Sequence, residues 1–151
     1  MLSRSFARTF LAVAGVALAS CGEPALEEAP PRDCTTDTGI SQIPTLVPAP
    51  AGYSVKYEVI GSGAGTITKI IYRDGTSTPV VVENPVLPWT ETVILYPDMD
   101  VGIGMEGSVS NGRFELKYNG TLNAASGGIS GAQVSGSKVC EQQFRSSTSV
   151  N

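Results

Sequence analysis

The chain has 151 residues, with 10 Lys and Arg, 14 Asp and Glu, no histidine, and a formal charge of −4. That length allows one domain with a modest core and leaves no room for two. The acidic balance argues against nucleic acid or an anionic membrane face as a partner, and the missing histidines remove the commonest general base and the usual serine and cysteine triads.

Residues 1–20 read as an export signal. Arg4 and Arg8 precede an apolar run over 10–19 that is too short to span a bilayer, and small residues lead up to Cys21. Leu18, Ala19, Ser20 and Cys21 resemble the lipobox of bacterial lipoproteins, in which the cysteine thiol is acylated with palmitate-like chains and cleavage falls just before it. The alternative is an ordinary signal peptide with a coincidental cysteine. Loss of the leader removes two positive charges and no negative ones, which takes the formal charge from −4 to −6. More than one acyl chain on Cys21 is needed for firm attachment, because a single chain binds membranes only marginally. Gly22 stands where many Gram-negative lipoproteins retained at the inner membrane carry aspartate, so an outer-membrane, periplasm-facing location is favoured.

With Cys21 committed to lipid, Cys34 and Cys140 are the remaining thiols, and an exported even pair is expected to oxidise to a disulfide. The loop it closes is worth ~4 to 5 kcal/mol in chain-entropy models, as an upper figure. Residues 21–50 are rich in Pro, Ala, Glu and Thr without helical or strand periodicity, and read as a flexible tether whose middle Cys34 pins to the domain. A domain is expected over 51–145 and a disordered tail over 146–151.

Within the domain, Tyr53, Val55, Tyr57 and Val59 alternate with polar residues as a half-buried strand. Residues 66–73 are β-branched and aromatic, and Asp74-Gly75 gives a hairpin signal before a strand at 79–82. Further strands are expected at 92–96, 101–105 and 113–118, the last bracketed by the turn signals Asn111-Gly112 and Asn119-Gly120, with a short return at 121–123. Residues 124–137 are Gly- and Ser-rich and suit either a long loop or a weak edge strand, before Val139 and Cys140 return to the core. Short strands, turn residues and no helical pattern after the leader predict an all-β fold: an antiparallel, immunoglobulin-like β-sandwich of about seven strands.

Few motifs carry chemistry. Gly61, Gly63 and Gly65 follow a strand as a phosphate loop does, but β-branched residues come next instead of a helix, so a hairpin or bulge is the better reading. Ser135 and Lys138 spell S-x-x-K in a segment unsuited to the helix that motif requires. Asp98, Asp100 and Glu106 lack calcium-loop spacing and suit a solvated turn. Asn119 and Thr121 match a glycosylation acceptor but are equally explained as a turn. Two cysteines without histidine make a poor zinc site, and no cofactor or metal is expected. Leu87, Pro88 and the only tryptophan, Trp89, form the most distinctive local element; the indole is placed either in the core or at an exposed contact.

Tyr57, Glu58, Val59 and Gly61, then 68–72 with the Asp-Gly turn, then Leu87-Pro88-Trp89 with 90–93 behind it, and finally 114–120, together resemble the extracytoplasmic domain of the MmpS family over about residues 53–142. Those small envelope proteins are transport accessories that work with MmpL exporters of the RND class on lipids and siderophores. The resemblance implies a non-enzymatic β-sandwich and fixes no substrate; the first hypothesis is an accessory that assists such an exporter, with Leu87, Pro88 and Trp89 as the candidate partner contact. MmpS proteins hold the membrane through an N-terminal helix, whereas this chain carries a lipobox, so a partnership made through that helix does not transfer. The family tends to pair a cysteine at the start of the strand occupied here by 114–118 with one near the C-terminus. Phe114 stands at the first position and Cys140 at the second, which implies that Cys34 supplies the replacement. A non-enzymatic envelope lipoprotein that binds a ligand or another envelope protein is the alternative function.

Overall fold

The computed structural model describes residues 30–45, 52–122 and 133–143. The leader, Cys21, the two ends of the tether (22–29 and 46–50), the Gly- and Ser-rich stretch up to residue 132 and the tail lie outside them. In chain order the strands are β1 (Arg32–Asp33), β2 (Thr36–Asp37), β3 (Ser41–Gln42), β4 (Tyr53–Tyr72), β5 (Val80–Glu83), β6 (Trp89–Leu95), β7 (Asp100–Val101), β8 (Ile103–Leu122) and β9 (Gln133–Gln142).

Two strands organise the rest. β4 and β8, 20 residues each, pair antiparallel from Tyr53 opposite Leu122 to Tyr72 opposite Ile103. Such a ladder laid flat would separate Tyr57 from Tyr72 by roughly 50 Å, at about 3.3 Å per residue. Their ring centroids are instead 5.3 Å apart, and the Tyr57 hydroxyl donates to the Arg73 carbonyl at 2.7 Å. The double-stranded ribbon therefore bends back on itself and forms both layers of the sandwich. One layer runs β6, β4, β8, β9; the other runs β5, β4, β8, with β1 and β2 sharing the edge. The expected antiparallel all-β sandwich is present, and its two layers are continuous through the long strands.

The bend explains the glycines at 61–65. A bulge falls between Ala64 and Gly65, and Gly63 holds φ at +82°, a conformation that side chains with a Cβ rarely adopt. The Phe114 ring lies over Gly61 and Gly65, where any Cβ would collide with it; at Gly65 that atom would come within 2.5 Å of the ring. Phe114 is 4% exposed in consequence. Bare backbone here accommodates an aromatic ring, and of the two sequence readings the bulge is the one realised.

The turn signals were overridden by this ladder. Asn111-Gly112 lies opposite Ala64 and Gly63 inside β8, and Asn119-Gly120 continues the same strand opposite Lys56 and Val55. Each pairs with β4, so reversal at either site would forfeit a run of inter-strand hydrogen bonds. The Asp74-Gly75 signal does lead into a hairpin, Tyr72 pairing with Val80. The Asp74 carboxylate accepts from the Thr76 amide and hydroxyl at 2.9 and 2.6 Å, bracing the wider loop.

Part of the predicted tether belongs to the domain. β1 and β2 pair with β8, and β3 pairs with β7, so the segment from Arg32 to Gln42 is docked along the sheet rather than free. Its composition conceals this because each strand has only two residues, too few for alternation to register. Cys34 and Ile43, both 1% exposed, are its anchors in the core. The core is otherwise the inward series Tyr53, Val55, Tyr57 and Val59 with Ile70, Leu95, Val101, Met105, Val109 and Leu116, none more than 1% exposed.

Candidate functional site

Cys34 and Cys140 are joined in a disulfide, with Cα atoms 5.7 Å apart. The Cys34 amide also donates to the Gly107 carbonyl at 2.9 Å, so bond and ladder hold the same point. Phe114 lies directly opposite Cys140 in the β8–β9 register. Cys140 therefore has a phenylalanine across from it and bonds instead to Cys34, which lies farther along the same edge of β8. Cys21, the expected lipidation site, is outside the described residues.

Leu87, Pro88 and Trp89 form the corner that leads into β6. Leu87 is half-buried against the core, Pro88 is exposed, and the neighbouring Val86 is 85% exposed. Trp89 pairs with Val59, and its half-buried indole rests on Tyr72 with centroids 5.4 Å apart and planes at 51°. Tyr72 in turn meets Tyr57, and Tyr57 meets Tyr118 at 6.1 Å. Trp89 is thus the outer end of an aromatic chain that runs into the core, which rigidifies the corner and leaves Val86 and Pro88 as its surface. Burial raises the Tyr72 pKa, with smaller contributions from Glu91 and Asp74, so its phenol stays neutral across the physiological range.

The remaining motif residues have separate local partners. Asp98, at φ 66°, accepts from the Thr45 hydroxyl at 2.7 Å and ties residues 43–45 to the domain. Asp100 pairs with Gln42, and Glu106 forms an ion pair with Lys69 at 3.1 Å. Ser135 and Lys138 lie on the extended strand β9, where residues three apart project from opposite faces.

One feature escaped the sequence reading. On the outer face of the second layer, Gly102 and Gly104 floor a groove of about 460 Å³ with Ile40, Ile71 and Pro79 along its sides and Arg73 beside them. The signal was present at 101–105, where glycine alternates with buried Val101, Ile103 and Met105. Alternation of that kind marks a strand with one packed face and one bare face.

Residues 32–98 match a family model described as Mycobacterium membrane protein. The segment is of the MmpS type. The match begins at β1 and ends just beyond β6, so this MmpS-type segment includes Cys34, the Leu87–Trp89 corner and the first long strand. It also takes in the docked residues that composition assigned to the tether. The printed description fits a membrane-associated protein of the cell envelope. Comparison with curated proteins and with solved structures returned no match.

Proposed function

We propose that the protein is a non-enzymatic envelope accessory, held to the membrane by lipid on Cys21, that presents the Leu87–Trp89 corner to the periplasmic part of an RND/MmpL-type exporter of lipids or siderophore-like molecules. The MmpS-type match through that corner is the observation that carries the reading. The corner suits docking: Val86 is almost fully exposed on a backbone braced by the Trp89–Tyr72 stack. The lipobox supports the anchor, and Gly22 favours the outer membrane.

Affinity capture from solubilised envelopes tests the partnership. The wild-type chain is expected to recover a transporter of this class, and Val86→Asp to lose it while leaving the fold intact, since the side chain it replaces is exposed. A deletion strain is expected to export less of the cargo. Normal export together with no captured transporter rejects the proposal. Mass spectrometry of the mature amino terminus tests the anchor separately, the expected species being diacylglyceryl-modified Cys21.

A second reading, a ligand-binding envelope lipoprotein, is favoured by the glycine-floored groove, which lies within the ~300 to 1,000 Å³ range of small-molecule sites.

A further inference from the structure

We infer that the groove over Gly102 and Gly104 binds a single-chain amphiphile with an anionic head, a long-chain carboxylate being the simplest, with its tail against Ile40, Ile71 and Pro79 and its head on Arg73. This names a ligand for the second reading above and rests on it, independently of any exporter.

The trough exists because Gly102, between β7 and β8, and Gly104, at the start of β8, put no side chains on this face. Gly104 is opposite Ile71 on one flank and Asp37 on the other, and Gly102 lies beneath Gly39, whose carbonyl oxygen would be 2.6 Å from a Cβ. The Gly39 backbone thus closes over buried Gly102, and the open part of the floor is at Gly104, between Ile71 and Asp37. The apolar flank at Ile40 is open, 61% exposed, and on the strand next to Ile71 the neighbouring Val81 is 48% exposed. Such a strip on the surface of a small domain marks a contact for something apolar.

Charge complementarity selects the head group. Two charged side chains line the groove, Asp37 and Arg73. The Asp37 carboxylate already accepts from the Gly39 amide at 2.7 Å. The Arg73 guanidinium has one long hydrogen bond, to the Ser77 carbonyl at 3.5 Å, and forms no ion pair among the described residues. Its backbone is fixed at both ends, the amide donating to Gly102 and the carbonyl accepting from Tyr57. A cation without a counter-ion, mounted rigidly beside an aliphatic trough, matches one anionic head carrying one apolar tail.

The test uses the full chain with Cys21→Ala, so that no acyl group competes, and sodium dodecanoate below its micelle concentration, followed by calorimetry and by amide shifts. Saturable binding with shifts at Gly39, Gly102 and Gly104 is expected. Arg73→Gln is expected to weaken dodecanoate by about tenfold, the scale of one charge-assisted pair, and to leave dodecanol unchanged. Ile40→Asp is expected to weaken both. Neither substitution removes a core contact, and an unchanged spectrum elsewhere verifies the fold. No saturable binding of monomeric dodecanoate, an Arg73→Gln variant that binds it as the parent does, or association only with vesicles containing anionic lipid would each overturn the assignment. A dodecanoate failure leaves transporter capture unaffected, so the two proposals fail separately.

Discussion

Tyr53 and Tyr57 alternate onto the same face of β4 and are both 0% exposed, yet their hydroxyls meet different surroundings. Tyr57 donates to the Arg73 carbonyl at 2.7 Å, a bond that spans the bend and joins the layers. The Tyr53 hydroxyl is buried with no hydrogen-bond partner among the described residues. Burial of an unpaired hydroxyl costs on the order of 1 to 3 kcal/mol, whereas removing one partner of a made bond strands the other. Tyr57→Phe is therefore expected to destabilise by about 1 to 2 kcal/mol, and Tyr53→Phe to be neutral or stabilising. Urea midpoints of the two variants decide this, and equal losses at both positions would contradict it. The Tyr57 phenol is also pushed well up from its ordinary pKa, first by desolvation, so it donates in this bond throughout the physiological range.

At the scale of elements, alternation was legible and continuity was not. The inward series of β4 could be read from sequence because period 2 with tyrosine and valine is specific to a half-buried strand. What could not be read is that residues 53–72 are one strand, because Gly61, Gly63 and Gly65 look like an interruption until Phe114, 49 residues beyond Gly65, is placed on them. Asn111-Gly112 misleads for the same reason: the poor strand propensity of Asn and Gly, on a scale spanning about 1 kcal/mol, loses to a long-range ladder. The disulfide was legible from cysteine parity, but its mechanical role was not. It fastens the two-residue strands β1 and β2 beside β8, elements too short to persist on backbone pairing alone. Cys34→Ser with Cys140→Ser is expected to lower stability by up to about 4 kcal/mol and to free this edge first. Amide exchange should accelerate at Thr38 and Cys34, which donate to Ile103 and Gly107, before it does in the centre of β4. Uniform acceleration across the sheet would refute the edge role. The groove was illegible because it depends on the pairing of four separated segments, although the bare alternation at 101–105 hinted at it.

For the molecule as a whole, the titrating groups sit at the two ends of the pH scale. Asp33 and Asp74 are held below the usual carboxylate range by hydrogen bonds from Thr35 and Thr76, and Glu58 by Lys56 first and Lys117 after. A carboxylate whose pKa is lower folded than unfolded stabilises above its unfolded value, near 4, and loses that contribution as pH falls through the folded one. Lys69 is raised by its bond to Glu106, and Tyr57 by burial. Both therefore stabilise below their unfolded values, near 10, and the contribution is lost as pH climbs past them. The chain has no histidine, and Cys34 and Cys140 do not titrate while bonded. With these contributions at the two ends, the urea midpoint is expected to be level from about pH 5 to about pH 9, to drop below about pH 4, and to drop again above about pH 10. Because β4 and β8 run through both layers, each drop should also be a single transition, with Trp89 fluorescence in one layer coinciding with far-ultraviolet dichroism of the whole. A midpoint that slopes between pH 6 and pH 8 would contradict this assignment of the pH dependence to Asp33, Glu58, Asp74, Lys69 and Tyr57. Two separated transitions would mean that the shared strands do not make the layers fold as one.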